Sequence, residues 1–146
     1  MAGPIDDDID QLGSATLQAW GLHGIGEVRA GDDLAGHVLD GLAATDVALA
    51  DGDVVVVSSK IVSKARGLAV EVPSRDDVVA GQTVRIVAER STPRGFARIV
   101  RSTSGPVLAA AGVDSSNVPV GWVLLLPADP DDEARSLRRA LAERTG

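Results

Sequence analysis

The basic residues of this chain divide unevenly. Of fourteen, twelve are arginine and two are lysine, Lys60 and Lys64. Both lie in Ser58-Ser59-Lys60-Ile61-Val62-Ser63-Lys64, directly after the run Val54, Val55, Val56 and Val57. Hydroxyls and ammonium groups would then cluster at the C-terminal end of a strand, where α/β sheets often bind ligands. If the chain turns helical after Ser59, the four-residue spacing puts both lysines on one face, and free backbone N–H groups at the helix start add donors. Such a cluster suits an anion. An ammonium is a compact charge that can follow a phosphate during transfer, whereas guanidinium favours a fixed planar fork. The same spacing also fits two solvated surface lysines. The pattern G-x-x-x-x-G-K-[ST] is absent, so this is not a P-loop.

Two further segments carry polar chemistry. Ala111-Gly112-Val113-Asp114-Ser115-Ser116-Asn117 is an abrupt polar turn after an apolar stretch. Hard cations such as Mg²⁺ use one or two protein carboxylates beside substrate phosphates, so Asp114 could supply one ligand, and Asn117 could hydrogen-bond a base or ribose. An Asx turn, in which Asp114 and Ser116 satisfy nearby backbone groups, explains the same residues. In Gly24-Ile25-Gly26-Glu27-Val28 the glycines let backbone approach a ligand, and Glu27 could accept from a nucleobase or ribose. The G-x-G-x-x-G order is missing, which rejects a dinucleotide fingerprint. His23 reads as a loop residue and His37 as the polar side of a helix; two such histidines support no Ser/His/Asp arrangement.

The elements that must position these residues follow from pattern. Residues 1–15 combine acidic charge with Gly and Pro and read as a flexible tail, with the folded domain over 16–146. Residues 16–20 read as a short strand before a glycine-rich loop. Asp32 or Asp33 is placed to cap a helix with inward Leu34, Val38, Leu39, Leu42 and Ala43. The four valines at 54–57 predict a strand covered on both faces, at the centre of a sheet. Short strands are expected at 67–72, 83–88, 97–101, 106–110 and 122–126, the fourth starting late because of Pro106, with a short loop at 73–77. Asp129-Pro130 opens a terminal helix whose Asp131, Asp132 and Glu133 precede Arg138, Arg139 and Arg144, complementing the helix dipole, with Ala134, Leu137 and Leu141 inward. Several strands with a helix near each end give an α+β fold, with a mixed β-sheet.

Composition closes off other functions. At 146 residues, the chain is about one domain long. Its formal net charge of −7 argues against nonspecific nucleic-acid binding, and Trp20, Phe96 and Trp122 leave little on which bases could stack. Cysteine is absent, which excludes disulfides, thiolate metal sites and a cysteine nucleophile. No apolar run approaches a membrane span, and the first ten residues hold four Asp and no basic residue, unlike a secretory or transit peptide; a cytoplasmic address is expected.

Taken together, these segments resemble the N-terminal half of the coenzyme F420-0:L-glutamate ligase family. The matching text runs through Gly24-Ile25-Gly26-Glu27-Val28, Gly31-Asp32-Asp33-Leu34, Asp51-Gly52-Asp53 with the four valines and Ser58-Ser59-Lys60, Val62-Ser63-Lys64-Ala65-Arg66-Gly67, the Ala111 to Asn117 turn, and Leu124-Leu125-Leu126-Pro127-Ala128-Asp129-Pro130. The resemblance implies that GTP activates a carboxylate as an acyl phosphate, which the amine of L-glutamate attacks, adding a γ-linked glutamate to coenzyme F420-0. It implies nucleotide contacts at Ile25, Gly26, Glu27, Val28, Ser59, Lys60, Lys64 and Asn117, with Lys60 and Lys64 serving the phosphoryl transfer. Asp114 would be a ligand to Mg²⁺ or Mn²⁺. Relatives carry a longer helical stretch where this chain has 73–77, and continue through a second half holding an Asp-Thr metal pair and further nucleotide contacts. The resemblance therefore implies a homodimer or a complementary C-terminal half as partner. The alternative is a noncatalytic nucleotide- or anion-binding, or dimerisation, domain.

Overall fold

The computed structural model describes residues 16–93 and 95–146; the acidic tail expected over 1–15 lies outside them. Four α-helices and two antiparallel sheets make an α+β fold. Helix α1, Leu34–Thr45, buries Ala35, Val38, Gly41 and Leu42, the three- and four-residue spacing that an inward stripe requires. Leu34 and Leu39 are half-buried, whereas Ala43, expected inside, is exposed because it falls off that stripe. Asp33 occupies the N-cap without a side-chain cap bond; its carboxylate instead meets Arg144 at 2.6 Å. This ion pair joins α1 to α4, Pro130–Thr145, where the Asp129 side chain accepts the N–H of Asp132 at 2.8 Å. The two helices share a core of Ala35, Val38, Leu42 and Leu141, with Leu137 packed on it. Ala134, expected to face inward, is exposed, one turn before the buried contact begins.

A second core of Val100, Ala111, Val113 and Val123 lies between the sheets. Strand β1, Ala69–Glu71, pairs with β5, Trp122–Leu124, in the register Ala69↔Leu124, Val70↔Val123 and Glu71↔Trp122. Strands β2, Thr83–Thr92, β3, Gly95–Ser102, and β4, Val107–Ala109, form the other sheet in sequence order. All described pairs are antiparallel, so two antiparallel sheets replace the mixed β-sheet expected; β2 and β3 pair as neighbours. Strand β4 begins at Val107, after Pro106, as a residue without an N–H requires.

Three further expectations are corrected. Residues 16–20 form no strand: Leu17 is 92% exposed and no described strand pairs with the segment. The loop expected at 73–77 contains the start of α3, Arg75–Gly81, because the Ser74 hydroxyl accepts the Asp77 N–H and Asp76 and Asp77 occupy the first turn. The valines at 54–57 are not the centre of a sheet; Val54 and Val56 are 84% and 88% exposed, and among the described residues no strand pairs with them. β-branching favours extended backbone, but a ladder needs a partner. Among the described residues, no helix is long and apolar enough to cross a membrane.

Candidate functional site

Helix α2, Ser59–Ala65, begins where the lysine spacing required, after an extended Ser58. Its carbonyls and amides tie neighbouring segments to it. Gly31 donates to the Ala65 carbonyl at 2.8 Å and Leu68 to the Ser63 carbonyl at 2.8 Å, so the glycine-rich loop and β1 are both anchored on α2. At its C-terminal end the Arg66 guanidinium takes both oxygens of Glu133, at 2.9 and 2.8 Å, fixing α2 against α4.

The opposing wall is built by backbone geometry. After β4, Ala110, Ala111 and Gly112 all take positive φ (49°, 53° and 75°), turning the chain sharply. At Gly112 glycine is required twice over, because a Cβ there would sit 2.3 Å from Leu126 Cδ1. Asp114 then bridges Leu124, donating N–H to its carbonyl at 3.1 Å and accepting its N–H at 2.7 Å. Asn117 adopts φ 57°, a conformation asparagine tolerates well. The Ser116 N–H donates to Asp114 Oδ1 at 2.8 Å, closing the Asx turn that the sequence allowed.

That turn meets α2 through Lys60. Its Nζ lies 3.0 Å from Asp114 Oδ2, donates to Asn117 Oδ1 at 2.9 Å, and donates to Ser116 Oγ. An ammonium has three N–H groups, and here three acceptors face them. The Ser116 hydroxyl in turn donates to the Asp114 carboxylate. Asp114 is thereby held at about 2, first by the Ser116 N–H, then by the Ser116 hydroxyl and the Lys60 ammonium, with partial burial opposing them. It is ionised at any physiological pH. The Asx turn and the lysine contact are thus the same structure.

Lys64, one turn on, lies with Nζ 3.3 Å from Glu27 Oε1. Between the loop and α2 lies an open cleft of about 640 Å³, bordered by Gly26, Glu27, Val28, Lys60, Ile61, Lys64 and Asn117. Val28 is buried and pins the loop's end. Two cations and two carboxylates balance here, so an incoming anion must exchange with Asp114 or Glu27 for its lysine. Two residues expected at the site stand apart. The Ile25 side chain turns toward α1, its Cδ1 3.1 Å from where a Cβ on Gly41 would be. Ser59 borders a different groove, with the valine run. Ile61 and Ser116 belong to the site without having been expected there; Ser116 was read only as part of the Asx turn, and nothing in the sequence signalled Ile61.

The family model described as F420-0:Gamma-glutamyl ligase matches residues 24–146. This chain belongs to that family. A coenzyme F420:L-glutamate ligase of Methanopyrus kandleri is 38% identical, aligned over 82% of this chain and 52% of its own length. Those of Halorubrum lacusprofundi and Natronomonas pharaonis are 32% and 36% identical over 86% of this chain, and 56% and 55% of theirs. The chain spans about half the length of the curated relatives it matches. Within this F420-0:gamma-glutamyl ligase family member, the loop, α2 and the Asp114 turn all fall inside the matched region.

Proposed function

We propose that the cleft between the glycine-rich loop and α2 binds the phosphates of GTP, in a cytoplasmic ligase that adds L-glutamate by γ-linkage to coenzyme F420-0. The observation that carries this reading is the meeting of Lys60 with Asp114, Ser116 and Asn117 across more than fifty residues of sequence. The family membership and the names of the relatives support it.

Lys60 and Lys64 would leave their carboxylates for phosphate oxygens, neutralising charge that shifts as the γ-phosphoryl group passes to a carboxylate of the acceptor and its bond to GDP breaks. The glutamate amine then attacks the acyl carbon; a C–N bond forms, phosphate leaves and the amine loses a proton. Gly26, Glu27 and Val28 would line the nucleotide, and Asn117 is within reach of it beside Lys60. Ile25 and Ser59 would act through the placement of the loop and helix they sit on.

Asp114 suits a divalent cation of the Mg²⁺ or Mn²⁺ kind: it is ionised and partly open, and among the described residues no cluster of three or more His, Cys, Asp or Glu exists to bind a metal without substrate oxygens. Such an ion would supply charge neutralisation at the phosphates. A complementary C-terminal half or a second copy of this chain is the partner in this proposal.

Calorimetry with GTP and with GDP, each with Mg²⁺ or Mn²⁺, tests the binding step. Heat of binding that Lys64→Ala weakens about tenfold or more is expected, from the loss of one charge-assisted hydrogen bond. No heat at millimolar nucleotide would overturn the reading. Binding without glutamate addition, even with a relative's other half supplied, would favour the noncatalytic nucleotide- or anion-binding alternative.

A further inference from the structure

We propose that Arg75 is a positioning residue for the Asp114 turn: its guanidinium fixes the peptide from which the Asp114 carboxylate projects toward Lys60. Arg75 opens α3, and its Nη2 donates to the Val113 carbonyl at 2.8 Å, across 38 residues of sequence. A cation in the first turn of a helix opposes the positive end of the helix dipole, where Asp76 and Asp77 are favoured. A residue that breaks the local rule in this way is explained by what it reaches. Here it reaches the carbonyl whose carbon is bonded to the Asp114 nitrogen.

Three residues of positive φ, Ala110, Ala111 and Gly112, deliver the chain to Val113, so the direction in which it leaves is set there. Each group of that residue is held. The Val113 N–H donates to the Ala110 carbonyl at 3.0 Å, its side chain is 4% exposed in the second core, and its carbonyl takes Arg75. On the far side of the same peptide, the Asp114 N–H donates to the Leu124 carbonyl at 3.1 Å. The peptide plane is thus clamped from α3 on one side and from β5 on the other, and a charge-assisted bond to its oxygen strengthens the N–H bond it makes. Helix α3 is itself seated: Val78 and Val79 pack on the core that holds Val113, and the Thr83 hydroxyl donates to the Val79 carbonyl at 2.6 Å.

What the clamp decides is the aim of one carboxylate. Asp114 accepts the Ser116 N–H and hydroxyl and meets the Lys60 ammonium, contacts that all depend on how its backbone is presented. With the peptide fixed, Asp114 keeps one orientation whether Lys60 stays on it or moves to an anion. Groups that orient a metal-binding carboxylate without touching the metal typically change metal affinity by about 10–100-fold. The effect on a bound cation rests on the GTP reading, whereas the contact between Arg75 and the turn does not.

The test compares Arg75→Met, which keeps the stem and removes the charge and its donors, with Arg75→Lys, which keeps a cationic donor. Amide hydrogen exchange of the ligand-free protein should speed at least about fivefold at Asp114 and Ser116 in Arg75→Met, with Leu68 and Leu141 unchanged, and return to within about twofold of wild type in Arg75→Lys. Calorimetry should show GDP binding with Mn²⁺ weakened at least about tenfold in Arg75→Met, and GDP binding without metal changed less than about twofold. A purely structural role would weaken both equally. Should Arg75→Met fail to fold, NMR of the wild-type guanidinium decides: restricted rotation about the Cζ–Nη2 bond is expected of a group held on Val113, and free rotation overturns the proposal. Wild-type exchange at Asp114 and Ser116 in Arg75→Met, acceleration spread over both sheets and α4, equal loss of both GDP affinities, or Arg75→Lys no better than Arg75→Met would also overturn it. No GDP heat from the wild-type protein would overturn the GTP reading instead and leave the exchange comparison to judge Arg75.

Discussion

The Lys60 corner and the valine edge flank the same helix, and they are finished to different degrees. At the corner, each donor of one ammonium faces an acceptor, and the acceptors are themselves tied together. At the edge, a run of the residues best suited to strands meets no backbone partner among the described residues. Polar groups in a partly buried place must find partners within the chain, since leaving them unmet costs about 1–3 kcal/mol each. An extended run on the surface carries no such penalty per group, because water meets its backbone N–H and C=O groups. The contrast teaches that the ionic groups of the corner are closed within this chain, whereas the valine run beside it meets no backbone partner among the described residues.

The largest effect that would break the contrast is at the corner's scaffold. Gly112→Ala forces a Cβ into Leu126 at a positive φ, so urea denaturation should show a loss of about 2–4 kcal/mol, combining the left-handed penalty with overpacking. Lys60→Met should next abolish measurable GTP heat while shifting stability by under about 1 kcal/mol, since the ion pair is partly exposed; retained nucleotide binding would separate the corner from the site. The pH dependence sharpens the same point. Because the Asp114 pKa is lowered from 3.8 to about 2, the stability it contributes is fully present above pH 3.8 and is lost as pH falls through about 2. Carboxyl NMR titration should follow Asp114 to about 2, and in Lys60→Met it should rise yet remain below 3.8, because the Ser116 N–H is the foremost cause. Val56→Ala should be the smallest, changing stability by less than about 0.5 kcal/mol in the chain alone. A larger loss would mean that the edge is already packed.

The parts that could be read from sequence are those set by local chemistry. Asp129-Pro130 opened α4 as expected, the α1 stripe held apart from Ala43, and α2 began at Ser59 so that Lys60 and Lys64 share a face. Helix α3 was missed although Ser74 and Asp77 carry its capping signal; Pro73 and the charged run after it read as a loop. The valine run misled for a different reason. Four β-branched residues do predict extended backbone, and the alternating exposure agrees, but burial on both faces depends on neighbours that composition does not name. At the site, the resemblance pointed to Lys60, Lys64, Asp114 and Asn117 together, and they lie around one corner; it did not reveal that Ile25 turns to α1 or that Ser59 faces the other groove.

By itself the sequence determined the helix starts, the inward stripes and which side chains carry charge, because capping, periodicity and pKa class act within a few residues of chain. Only the tertiary structure decided that Lys60 belongs to Asp114 and Lys64 to Glu27. Those pairings span 54 and 37 positions (114 − 60 and 64 − 27), and the rigid turn through Gly112 and the anchoring of the loop on α2 choose them, since local chemistry carries no information about which distant carboxylate will arrive.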